Sequence, residues 1–408
     1  MPKLTLTSMR IAAALLAAAA GAVASAPVSV VDFGAKGDDK ADDTAAIQAC
    51  INYAQTHPAS CYVPPATYKI TGAGLSITGS VSLRSDASVG MASAQLKYYG
   101  TGTALTIGDG THWVYASELS NLTIIPADGV AAQYGINSRM LTESNWDGIM
   151  VGGSITTGRF LTEVRFQDSA ILNLRRLIIA GRTGSPGSTG ILFDDAQAPG
   201  GGNSHVVIDG GDFFYLSTIY DVHTCQLCSI RNVWHEAYDY AIVADNANGT
   251  VSVSDLAFDG NTFLATLGGD PFQAQKLIRV NAVAGKVYTL NRLQFTNNRV
   301  AMPYPGVTSP IVVRIDEQAG AATSCNLMVR GNTVSAANSS LIDSNSPLAT
   351  LILDWNFAQD ARLARPADAS GTYTLYSAPS GGLPGGAGAG LTMPLGRTDP
   401  RRAAPANR

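Results

Sequence analysis

Between positions 194 and 240 the chain gathers the side chains best suited to acid–base chemistry. Asp194 and Asp195 close a short apolar run, Asp209 and Asp212 flank a Gly-Gly pair, and Arg231, His235, Glu236, Tyr238, Asp239 and Tyr240 follow in one dense stretch. Three of the five histidines, His205, His223 and His235, lie in the same region. Two chemistries suit such groups. Hydrolysis of an acetal bond wants two carboxyl groups, one protonated and one ionised, and Asp209 and Asp212 are candidates. Elimination beside a carboxyl group wants a base, a cation to hold that carboxylate and a donor to the leaving oxygen.

For the elimination, His235 titrates near neutral pH, with Glu236 and Asp239 as further catalytic candidates. Arg231 offers a planar fork to a carboxylate. His223 is a candidate substrate contact if the chain turns between it and His235. Tyr238 and Tyr240 share one side of an extended strand, so both are candidates for stacking on a substrate. Asp194 and Asp195, helped by Asp209 and Asp212, are candidate ligands for calcium, which needs several convergent oxygens. No cofactor is certain, and no spacing here matches a dedicated calcium loop. Each candidate also has an ordinary structural reading: aspartates at turns, an imidazole bonded to Glu236 or Asp239, a solvated arginine, packed tyrosines. Trp234 aligns with the inward positions of the repeat described below, and is expected in the core. His57 and His112 lie in loops and receive no role.

The elements that must position these groups are strands. Hydrophobic residues reach 46% against 14% charged in 408 residues, so a large core can be buried and a disordered chain is excluded. A net charge of -4 lacks the basic face that a nucleic-acid partner requires. Forty-two glycines and few aromatics favour short strands and turns. One helix is predicted from about Thr44 to Gln55, capped by Asp42 or Asp43, with Ile47, Cys50, Ile51 and Ala54 forming one apolar stripe. Helical periodicity then disappears.

A frame Leu-x-(Phe/Val)-x-(Gly/Asn)-Asn-x-(Phe/Val) recurs at Leu256–Phe263, Leu293–Val300 and Leu327–Val334. Such periods imply stacked units, none able to bury its own apolar face. The Asn of each copy is expected to turn the corner in a left-handed conformation, stacking Asn261, Asn298 and Asn332 so that their amides pair. Ser229–Trp234 is a shorter variant. The best fit is an all-β, single-stranded right-handed parallel β-helix of eight or nine coils, with a short N-terminal capping helix.

The domain boundaries follow. Residues 1–24, with Lys3 and Arg10 before an apolar run, are read as a cleavable signal peptide, so export is expected. No later stretch is long enough to span a membrane. Residues 25–364 form the β-helix domain, and 365–408 a flexible Gly/Pro/Ala-rich tail with a possible last strand at 371–376. Cys50 and Cys61 are expected to bridge locally, Cys225 and Cys228 to be buried or bridged, and Cys325 to be a buried free thiol.

Val31-Asp-Phe-Gly-Ala-Lys-Gly-Asp38, Asp42-Asp-Thr-Ala-Ala-Ile-Gln48 and Tyr62-Val-Pro-Pro-Ala-Thr-Tyr-Lys-Ile70 resemble, in order and spacing, the opening of the pectate-lyase-like superfamily, which includes rhamnogalacturonase/epimerase-type domains. Ala66 departs from the glycine usual after the paired prolines. The resemblance implies a right-handed β-helix acting on polysaccharide, but its motif is the structural cap and assigns no catalytic residue. The polygalacturonase-like blocks are not found as a set. The expectation is therefore an exported enzyme acting on a uronate-containing polysaccharide, lyase or hydrolase, leaning to lyase because no full hydrolase block is present. A non-catalytic carbohydrate-binding or adhesion β-helix is the alternative.

Overall fold

The computed structural model describes residues 27–86, 93–153, 157–182, 187–194, 201–246, 251–264, 276–283, 287–301, 311–317, 322–335, 340–344, 349–359, 372–377 and 391–394. The expected signal peptide, Asp195 and most of the tail lie outside these residues, and so does the side chain of Cys325. Within them the chain forms a single-stranded right-handed parallel β-helix.

Each coil supplies a rung to three faces. A first face carries segments such as 229–231 and 257–259, paired in parallel. A second carries 211–214 and 233–236, and a third carries 218–221 and 240–243. On the second face eleven rungs stack among the described residues, from Ala66–Ile70 to Ala349–Gln359. That exceeds the eight or nine coils expected, because the early coils lack the Asn frame that marked the later ones. Within the expected tail, Thr372–Ser377 pairs in parallel with Ala349–Gln359, and Leu391–Pro394 runs antiparallel to it.

The corner between the first and second faces explains the repeat. Asn121, Gly148, Arg176, Gly210, Asn232, Gly260, Asn297 and Gly331 stack there with φ from 50 to 74°. Asn and Gly adopt this left-handed geometry at least cost. The residue that turns is thus Gly260, Asn297 or Gly331, one position before the asparagine expected to do so. That asparagine points inward instead. Asn261, Asn298 and Asn332 are buried and form the expected amide ladder: Asn261 Nδ2 donates to Asn298 Oδ1 (3.1 Å), and Asn298 Nδ2 to Asn332 Oδ1 (3.1 Å). Asn298 Oδ1 also accepts from the Asn261 N–H at 2.8 Å. The ladder satisfies polar groups that the corner would otherwise orphan in the core, at ~1–3 kcal/mol each.

The helix Thr44–Thr56 buries Ile47, Cys50, Ile51 and Ala54 against the first coil. Asp42 Oδ1 accepts the Thr44 N–H, and a disulfide joins Cys50 to Cys61. Gln48 Oε1 accepts from Ser76 N and Gln55 Oε1 from Thr78 N, both at the edge strand Leu75–Ile77. Side-chain amides thus occupy donors that would otherwise pair with another chain. Cys225 and Cys228 are also joined.

Candidate functional site

The chemistry-bearing stretch falls on two long bent strands, Ser204–Val222 and Thr224–Asp245, each passing over all three faces of its coil. Their register pairs Asp212 with Trp234 and Phe214 with Glu236. On this second face the inward positions are Phe213 and His235, so Asp212, Phe214, Trp234 and Glu236 point out. Asp212 and Glu236 therefore stand on adjacent rungs of one open surface. Trp234, 41% exposed, stands directly opposite Asp212 and two residues before Glu236, and its Nε1 donates to Glu236 Oε2 at 3.3 Å. Asp212 is exposed as a residue, yet its surroundings still desolvate the carboxyl group. That desolvation, with the Glu236 charge second, raises its pKa above the ordinary aspartate value.

The same face continues from Trp234 through Thr262 to Arg299 and Thr333. Arg299 is exposed, and no side-chain partner is found for it among the described residues. Most other outward arginines of the middle coils are engaged: Arg165 with Asp194, Arg176 with Asp147, Arg231 with Asp209, Arg292 with Asp255.

Several expectations are corrected. His235 is wholly buried: its Nε2 and the Tyr220 hydroxyl are 3.0 Å apart, its Nδ1 lies 3.1 Å from Thr262 O, and its ring stacks on Phe263 at 4.2 Å. Burial pushes its pKa down to about 3, the Thr262 bond opposing, so it cannot serve as a base on the outward face that carries Asp212 and Glu236. Trp234, expected in the core, is outside. One slip explains both. Aligning Trp234 with Phe263 sets Asn232 against Asn261, whereas Trp234 pairs with Thr262 and His235 with Phe263. Since strand side chains alternate, a shift of one residue exchanges inside and outside.

Tyr238 is buried and Tyr240 half-buried on the third face, beside the Arg279 guanidinium at 5.7 Å. The strand bends at Ala237, φ 53°, and simple alternation does not hold just past it, so Tyr238 is buried while Tyr240 is not, against the shared side expected of one straight strand. Burial raises the Tyr238 hydroxyl pKa. Asp239, half-buried, sits at this corner.

The acids expected to converge lie on three faces. Asp194, on the third, is paired with Arg165, and His223 Nδ1 lies 3.5 Å from it. His223 Nε2 is likewise 3.5 Å from Asp221, on the third face and not the second. Asp209, on the first face, binds Arg231 (3.1 Å) and Asn232 (2.9 Å). The Asn232 bond lowers its pKa most; burial opposes it, and the Arg231 charge and hydrogen bond add to the lowering. Arg231 is thus held by Asp209 on the neighbouring face. No group of three or more His, Cys, Asp or Glu placed to hold a metal occurs among the described residues, so the proposed aspartate calcium set does not assemble there. No helix among them is long and apolar enough to cross a membrane.

Two features had no clear sequence signal. Arg299 gains meaning only from stacking above Trp234. Glu163 lies wholly inside the coil, between Gly135 and Gly190 on the neighbouring rungs, and neither of its oxygens has a hydrogen-bond partner among the described residues. Burial holds its pKa well above the ordinary value.

The A-module of a mannuronan C-5 epimerase from Azotobacter vinelandii has the same fold, with a TM-score of 0.57 at 17% identity, covering 86% of this chain and all (100%) of that one. An exopolygalacturonase from Thermotoga maritima gives 0.55 at 10% identity, over 86% of this chain and 90% of that one. A Geobacillus virus E2 protein, ORF18, gives 0.50 at 12% identity over 92% of this chain, which spans 65% of the viral protein's length. At such identities the likeness is one of fold. No curated protein sequence matches the chain. Residues 27–211, however, match the model of the family described as rhamnogalacturonase A/epimerase, pectate lyase-like. That match covers the N-terminal coils of the β-helix, the part that carries the cap motif, and it makes this stretch similar to the pectate-lyase-like family.

Proposed function

We propose that this protein hydrolyses glycosidic bonds in an anionic polysaccharide, in the groove of the second face. The observation that carries the reading is the placement of Asp212 and Glu236 on adjacent rungs of one open face, with Trp234 directly opposite Asp212. The raised pKa of Asp212 suits a general acid, which protonates the glycosidic oxygen as the bond breaks. Glu236 takes the proton of the attacking water, whose oxygen bonds to the anomeric carbon. The Trp234 indole gives a sugar ring a flat apolar surface. Exposed Arg299, two rungs along and without a side-chain partner among the described residues, suits a carboxylate on the substrate.

The lyase set of Arg231, His235 and Tyr238 is not brought together, and that favours hydrolysis over elimination. The polysaccharide class draws support from the epimerase and the exopolygalacturonase that share the fold. Export, proposed from residues 1–24, places the protein where such polymers occur.

The test is the mature chain on polygalacturonate and polymannuronate, reading reducing ends together with the ultraviolet absorbance of unsaturated uronate. Reducing ends without absorbance are expected, lost in Asp212→Asn and in Glu236→Gln. Absorbance rising with them would mean a lyase. Binding without either signal would mean a carbohydrate-binding β-helix and overturn the proposal.

A further inference from the structure

Away from the second face, two exposed aromatic side chains stand close together. Trp113 is 39% exposed and Tyr115 54%, and no ring, cation or hydrogen bond engages either side chain among the described residues. Other exposed aromatics are covered by neighbours: the Tyr53 ring stacks on His57 at 3.9 Å, and Tyr99 lies under Lys69 and Lys97. Val114, between the pair, is buried. Side chains alternate along an extended segment, so Trp113 and Tyr115 project to the same, outer side, about 7 Å apart.

The segment that carries them is fixed. It lies in the connection from the third-face strand Thr103–Ile107 to the strand Glu118–Pro126, which begins the first face. Val114 and Tyr115 pair with Leu141 and Thr142 of the next coil. The Val114 N–H donates to Met140 O at 2.8 Å, and the Ala116 N–H to Thr142 O at 3.0 Å. Before them Asp109 Oδ1 accepts from the N–H groups of Thr111 (2.7 Å) and His112 (2.8 Å), and His112 Nδ1 lies 2.8 Å from Asp109 Oδ2. Gly110, with φ 79°, lets this turn rest on the Arg139 guanidinium, where a Cβ would collide. Rings held on such a backbone lose little freedom on binding.

We infer that Trp113 and Tyr115 form a second carbohydrate-binding site, which stacks sugar rings and anchors the polymer away from the second face. A flat aromatic ring covers the apolar face of a sugar, while the indole N–H and the phenol hydroxyl reach its hydroxyl groups. The surrounding Thr111, His112 and Glu118 are polar and exposed. Two rings in such a setting present far less than the roughly 800 Å² per partner of a stable protein interface. Counted through Thr142, Ala170, Ser204 and Gln226, the coil of Trp234 is four rungs away, about 19 Å along the axis. The inference rests on the polysaccharide reading and not on hydrolysis by Asp212 and Glu236.

The experiment is affinity electrophoresis of the full chain through gels holding polygalacturonate or polymannuronate, in the Asp212→Asn background so that the polymer is not cut. Retention by at least one polymer is expected, weakened about tenfold in Trp113→Ala/Tyr115→Ala and further when Trp234→Ala is added. Tyr115→Phe keeps the ring and the retention, and a denaturant midpoint unchanged in the double variant shows that the fold is intact. Retention unaffected by the double variant, or a parent retained by neither polymer, would overturn the site, while reducing ends released by the chain with Asp212 intact report on hydrolysis separately. A dimer in sedimentation that the double variant dissolves, with retention unaffected, would assign the rings to a second copy of the chain and overturn the site as well.

Discussion

Trp234 and Glu236 project from one strand two residues apart, and the indole Nε1 donates to Glu236 Oε2 over 3.3 Å. The tryptophan is thus both a flat surface for a sugar ring and a donor that orients a carboxyl group. These roles separate by substitution. Trp234→Phe keeps an aromatic face and loses the donor, so kcat falls while KM holds. Trp234→Ala loses both, and KM rises about five- to tenfold, the scale of one aromatic contact. Equal kinetic effects of the two variants would refute the division.

The Asp212 carboxyl is held up first by desolvation and then by the Glu236 charge. Removing that charge in Glu236→Gln lowers the Asp212 pKa, because a like charge had disfavoured ionisation. Carbon-13 NMR of the aspartate carboxyl groups reads the shift directly. Asp212→Asn lowers kcat by about 10²–10⁴-fold, the range for loss of a general acid. An Asp212 titration unmoved by Glu236→Gln would show that the two groups do not sense each other.

His235 tests stability separately from activity. Folded, it stays neutral down to about pH 3, whereas unfolded it takes a proton near its ordinary 6.5. Its depressed pKa therefore supports the fold fully above about 6.5 and progressively less as pH falls towards 3. His235→Phe continues the stack on Phe263 and removes this dependence. Denaturant midpoints at pH 7 and pH 4.5 should lie closer together in the variant, with the pH profile of activity unchanged. A displaced profile would return His235 to the chemistry.

Glu163 has the opposite sign. Its folded pKa is raised, so below about 4.5 both states are protonated and there is no linked effect. As pH rises the unfolded chain ionises first and the fold loses stability, by up to ~1.4 kcal/mol per pH unit. Glu163→Gln abolishes this slope. Thermal unfolding from about pH 5 to 7 checks it, and a parent protein equally stable across that range would show that Glu163 finds a partner.

The sequence by itself determined the architecture. The Leu-x-Phe frame with its glycine and asparagine stacks parallel strands, because alternation and left-handed corners are local properties. The helix stripe, the Cys50–Cys61 disulfide and the Asn261–Asn298–Asn332 ladder were legible for the same reason, whereas Cys225 and Cys228 were open between burial and a bridge. Asp212 and Glu236 were named among several candidates, without anything to single them out. Only the tertiary structure decided which acids share a face. Whether a side chain points in or out depends on a register that one residue reverses, as Trp234 and His235 show. Corners such as Ala237 interrupt the alternation within one continuous strand. Neighbours across rungs are 20 to 40 residues apart in sequence, so the placement of Arg299 two rungs from Trp234 arises only once the coils are stacked.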